Sequence, residues 1–153
     1  MISPTVFEDA ALGRVVWAPD GECWWAEVEL GTDQPVQVCL ISHDGSQAPV
    51  SEILTKVHGL LATIAINEPG LRGQTAETLS RLWKRSGNVA HECLASADEL
   101  RGVLRLTMIR FWTHGDRPAE LFFDDCSKRI VERGVVAHLD TTGRSVEGIE
   151  LPG

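Results

Sequence analysis

Apolar and polar positions alternate with a period of two near both ends of the chain and follow a helical period in between. The clearest alternation is Cys23–Leu30, where Trp24, Ala26, Val28 and Leu30 fall on one side and Trp25, Glu27 and Glu29 on the other. That is the pattern of a strand with one buried face. Arg14–Trp17 precedes it across a turn at Pro19–Gly21, and Val36–Ile41 follows a turn at Gly31–Gln34. Residues 14–41 are therefore expected to form a three-strand meander with carboxylates on its outer face. Four further strands are predicted at Leu104–Thr113, Ala119–Asp124, Val135–Leu139 and Val146–Leu151, with turns at His114–Pro118, Asp124–Lys128 and Asp140–Gly143. The first of these is apolar in both phases, with Leu104, Leu106 and Met108 on one and Ile109 and Phe111 on the other. It predicts a central strand covered on part of both faces.

Between the two sets of strands, Val50, Ile53, Leu54, Val57, Leu60, Leu61 and Ile64 recur at helical spacing. A helix is predicted over Val50–Asn67, with Pro49 at its start and Glu68–Gly70 as its stop. A second is predicted over Leu71–Arg85, facing the core with Leu79, Leu82 and Trp83 and closed at Ser86–Asn88. Ser96 and Glu99 have the spacing of a capping box that opens a short helix through Gly102. The fold class is α+β: one domain over residues 1–153, an antiparallel sheet made of the two meanders, and two or three helices packed on it.

Composition sharpens this picture mainly through charge. Residues 1–71 hold ten acids against two bases, while residues 72–153 hold twelve of each, so the net charge of −8 belongs to the first half. An acidic surface repels phosphate backbones and anionic lipid and steers a basic protein. Nucleic-acid and membrane partners are accordingly not expected. The chain has no run long and apolar enough to span a bilayer and no secretory start, so a cytoplasmic location is expected. Cys23, Cys39, Cys93 and Cys126 have no paired spacing and are expected as reduced thiols, not as a zinc or disulfide framework.

The residues with chemical potential are few. Asp124 and Asp125 with His138, joined by His114 and Asp116, would make an acid–base or metal-assisted hydrolytic site if they converged. Successive strand residues point to opposite faces, however, and Asp is favoured in turns without any function. His91 and Cys93 are two apart and would not share a helical face. No phosphate loop, nucleophile elbow or zinc-protease motif is present, and no cofactor or metal is expected.

Trp25 in the second strand, Ser96 with Glu99, the Phe123–Asp125 run and the closing Asp140–Gly143 turn occur in an order that resembles a family of small uncharacterised bacterial domains of unknown function. Some relatives in that family are proposed immunity partners of polymorphic toxins. The resemblance covers most of the chain, carries no catalytic residues and departs from the family pattern at Lys128–Gly134. It implies a protein-binding role. The preferred reading is thus a non-catalytic module of immunity type that binds a basic protein, such as a toxin, through Trp25, Glu27 and Glu29. The alternative is a small metal-assisted hydrolase built on Asp124, Asp125 and His138.

Overall fold

Eight strands hydrogen-bond in sequence order into a single sheet, in a computed structural model that describes residues 6–18, 20, 22–32, 34–42, 49–86, 96–113, 118–125 and 134–151. The strands are β1 (Val6–Asp9), β2 (Gly13–Ala18), β3 (Cys23–Val28), β4 (Val36–Ile41), β5 (Leu104–Trp112), β6 (Glu120–Asp125), β7 (Val135–Leu139) and β8 (Val146–Glu150). Every neighbouring pair is antiparallel except β4 with β5, which is parallel. A parallel pair needs a long crossover, and helices α1 (Ser51–Ser86) and α2 (Ala97–Val103) lie within it. The α+β class with a mostly antiparallel sheet is the observed architecture. Strand β1 has no counterpart in the pattern reading, since four residues at a sheet edge leave little periodicity to detect.

The first helix corrects the expected stop at Pro69. It runs unbroken for 36 residues, with Pro69 inside it. Proline removes the N–H that would bond the Ala65 carbonyl and its ring crowds that carbonyl, which costs about 3 kcal/mol in a helix interior. The helix continues because its buried stripe keeps phase across the proline: Val57, Leu61, Ile64, Glu68, Leu71, Thr75 and Leu79 are all buried, at spacings of three or four. Burying a Leu or Ile side chain is worth about 1.5–3 kcal/mol each, so the residues beyond Pro69 outweigh one broken turn. Helix α2 opens with the expected capping box: Ser96 Oγ accepts from the Glu99 N–H at 3.2 Å, and Glu99 Oε1 accepts from the Ser96 N–H at 3.4 Å. It buries Leu100 in the same core.

Strand β5 is central, as expected, but for a different reason. Its register with β6 slips between Leu106 and Met108, leaving Thr107 as an extra residue whose hydroxyl donates to the Phe122 carbonyl at 3.1 Å. The bulge switches the phase of the strand, so Leu104, Leu106, Ile109 and Phe111 all face the helices and are buried. Arg105, Met108, Arg110 and Trp112 take the opposite face and are half-buried. The double phase that predicted two-sided burial is therefore a one-sided strand with a bulge.

The core lies between α1 and one face of the sheet. It contains Trp24, Ala26, Val28, Val38, Leu40, Leu121, Phe123, Val135 and Ala137, all in register on that face. Trp24 is fully buried, with Phe7 edge-on at 5.0 Å and Trp17 tilted at 5.4 Å between ring centroids. The β7–β8 turn is the predicted Asp140–Gly143 turn, closed by Gly143 N–H to the Asp140 carbonyl at 3.1 Å. Gly143 holds φ at 75°, the left-handed region that favours glycine, and the turn sits against Leu60 and Ile64 of α1. The predicted helix closure at residues 87–88 and the predicted turn residues 114–117 and 126–128 lie outside the described residues.

At the other edge, Asp9 fastens the β1–β2 hairpin to α1. Its Oδ2 accepts from the backbone N–H of Ala11 at 2.9 Å and of Leu12 at 2.8 Å, and lies 2.7 Å from His58 Nε2. Burial pushes the Asp9 carboxyl up, but the Leu12 N–H, the His58 ring and the Ala11 N–H together outweigh it and hold the carboxyl below its ordinary 3.8. A carboxyl lowered in the folded state contributes stability above its unfolded value and loses it as pH falls through the folded one. Asp9→Ala should therefore lower the urea midpoint near neutral pH, and its deficit relative to the parent should shrink as pH drops from about 4 toward 2. A deficit that stays constant down to about pH 2 would show that the charge of Asp9 contributes nothing.

Candidate binding face

The face of the sheet opposite α1 presents the second phase of every strand. Strand registers place Val16, Trp25, Cys39, Arg110, Glu120 and His138 in one row across β2 to β7. Three of these join Glu150 in a charged ladder. Arg110 Nη1 donates to Glu120 Oε1 at 3.1 Å, His138 Nδ1 lies 2.9 Å from Glu120 Oε2, and His138 Nε2 lies 3.3 Å from Glu150 Oε2. Glu120 is only 7% exposed, and a carboxylate that deep needs such partners on both oxygens. The Arg110 guanidinium also stacks on Phe122 at 4.7 Å and approaches Trp112 at 5.9 Å, within reach of a cation–π attraction.

This arrangement holds charge in place; it is poorly suited to proton transfer. Both ring nitrogens of His138 face carboxylate oxygens, so neither offers a free lone pair to a substrate. Cys39 is buried beside Cys23; burial first, and then the Cys23 thiol, push the Cys39 thiol up to about 12, with Arg110 opposing weakly. A thiol so placed stays protonated and is a poor nucleophile. Cys93 and Cys126 lie outside the described residues.

The residues of the alternative site do not gather. Asp124 and Asp125 both belong to strand β6 and not to the turn expected of them. Asp124 is half-buried on the open face opposite Arg105, while Asp125 is fully buried on the core face opposite Leu104. His138 stands opposite Glu120, four residues from Asp124 along β6, which is roughly 13 Å at the rise of a strand. His114 and Asp116 lie outside the described residues. Among the described residues no group of three or more His, Cys, Asp and Glu side chains is arranged to hold a metal ion.

Trp25, Glu27 and Glu29 sit toward the β1 side of the open face. Trp25 is half-buried and Glu27 exposed, and both line a shallow hollow of about 520 Å³ with Arg14, Val16 and Gln37. Glu29 is exposed just beyond the end of β3. Register extends this patch to Glu8, which pairs with Arg14 at the sheet edge. Glu8, Glu27 and Glu29 around the single base Arg14 leave the patch with a net negative charge. The face as a whole is mixed in charge, because Arg105 and Arg110 occupy its centre.

The ladder was missed by pattern reading, though it left a signal. Arg110 lies between Ile109 and Phe111, and Glu120 between Ala119 and Leu121. A charge inside an apolar strand must find a partner on its own face. Which charge meets which depends on register and on the Thr107 bulge, and neither is visible in the sequence. In comparisons with known protein families, curated proteins and solved structures, the chain matches none.

Glu120 is the keystone of the ladder. Glu120→Ala would leave Arg110 and His138 facing each other without the carboxylate between them. Both are about one-third exposed, so water offsets part of the loss, and a destabilisation of about 1–3 kcal/mol is expected by urea denaturation. A loss below about 0.5 kcal/mol would mean that the ladder is decoration on a face stabilised by other contacts.

Proposed function

We propose that the protein is a non-catalytic binding module of immunity type that engages a basic protein partner, such as a toxin, through the open face of its sheet around β3. The observation that carries this reading is the patch of Trp25, Glu27 and Glu29. It combines an aromatic contact surface with net negative charge on the face opposite α1. Exposed carboxylates steer a basic partner, while a rigid indole supplies contact area at low entropic cost. The resemblance to a family with proposed immunity proteins points the same way. A cytoplasmic site of action belongs to the same proposal; among the described residues no helix is long and apolar enough to cross a membrane.

The test is binding kinetics at low and high salt against a partner isolated with the intact protein. Glu27→Lys together with Glu29→Lys should slow association at least about tenfold and flatten its salt dependence. Trp25→Ala should leave association nearly unchanged and accelerate dissociation. A charge-reversed variant that binds as fast and as tightly as the parent would remove this face as the interface.

A further inference from the structure

The side of α1 turned away from the sheet carries a pattern of its own. Glu52, Gly59 and Ile66 stand seven residues apart, and Lys56, Gly70 and Glu77 fall on the intervening seven-residue series; all six are exposed. Two such interleaved series are the seam of a helix that packs along a second helix. The seam is charged at both ends, with Arg81 exposed one turn beyond Glu77, and uncharged between. Near its middle Ile66 is 80% exposed, the most exposed large apolar side chain among the described residues.

The order of the charges has a two-fold relation. The midpoint between Glu52 and Arg81 and the midpoint between Lys56 and Glu77 coincide, between Ile66 and Asn67. A second α1 laid antiparallel about that point sets Glu52 against the partner's Arg81 and Lys56 against the partner's Glu77, each pair occurring twice. The two Ile66 side chains then meet at the axis. A parallel arrangement would instead set each charge against its own kind. Glycine is a poor helix former, and among the described residues nothing lies within 4 Å of where a Cβ at Gly59 or Gly70 would stand. Packing within one copy therefore does not call for glycine at either position, whereas a second helix approaches most closely where side chains are smallest. Arg101 of α2 packs over Gly73, and the antiparallel pairing sets that position beside the partner's Gly59, where no side chain obstructs it.

We propose that the solvent face of α1 is an interface for a second copy of this chain, which seats its own α1 there in antiparallel and forms a two-fold dimer. Charge complementarity fixes the direction and the register, and Ile66 supplies the apolar contact at the centre. One helix a side makes a small interface, of the weak and reversible class. The face lies on the far side of α1 from the sheet, so pairing leaves the Trp25 patch open in both copies. This inference and the binding reading can fail separately.

The test is sedimentation velocity on the full chain at about 0.15 M salt, where a Debye length of about 8 Å screens the net charge of −8 but not pairs in contact. A reversible monomer–dimer equilibrium is expected, with a Kd on the order of 10–100 μM. Glu52→Arg and Arg81→Glu should each weaken it at least about tenfold. An equimolar mixture of the two variants should restore it, because every pair across the axis is again opposite in charge. Ile66→Asp, at a side chain too exposed to support the core, should abolish the dimer and keeps the test open if Glu52→Arg or Arg81→Glu fails to fold. The proposal is overturned if the parent is still monomeric at roughly 300 μM, if the mixture associates no better than either variant alone, or if a folded Ile66→Asp dimerises like the parent.

Discussion

The unbroken buried stripe of α1 is the constraint on which the rest of the molecule depends. A 36-residue helix extends roughly 54 Å at 1.5 Å per residue, long enough to lie across many strands of the sheet. Its packing gathers Trp24, Leu40, Ile109, Phe111, Leu121 and Phe123 from four strands into one core. The chain also uses it as the crossover that brings β5 parallel to β4, and so unites the N-terminal and C-terminal strands in one sheet. Pro69 opposes this arrangement locally, and the side chains on either side of it prevail because they face the same core. The proline persists at a cost that the buried stripe outweighs.

With α1 on one side, the opposite face must satisfy its own polar groups. It does so laterally, through the Arg110–Glu120–His138–Glu150 ladder, which neutralises charge across β5 to β8. Pairing of this kind spends the chemistry of the residues involved. A histidine held by two carboxylates and a thiol kept protonated by burial are structural groups. The Trp25 patch toward the β1 edge lies outside this ladder.

Elements governed by short-range rules were legible in the sequence. The alternation of β3, the capping box of α2 and the turn at Asp140–Gly143 each stand where local pattern put them. Elements governed by competition were not. Pro69 and Gly70 are sound helix stops by local rule, and only the phase of Ile64 and Leu71 across them shows that tertiary burial wins. The Thr107 bulge was visible as a doubled apolar phase in β5, but a strand buried on both faces produces the same pattern. Asp124 and Asp125 could be assigned to opposite faces from alternation alone, whereas the pairing of His138 with Glu120 required the register.

The most direct test of this account is native-state amide hydrogen exchange along α1. If one stripe holds one helix to the sheet, the amides of Leu61 and Ile64 before Pro69 and of Thr75 and Leu79 after it should exchange with the same free energy, that of global unfolding. Faster exchange should be confined to the turn around Pro69, where a hydrogen bond is missing. If the amides beyond Pro69 open at several kcal/mol lower cost while those before it remain protected, the two halves are separate units and the continuous helix is not what organises the fold.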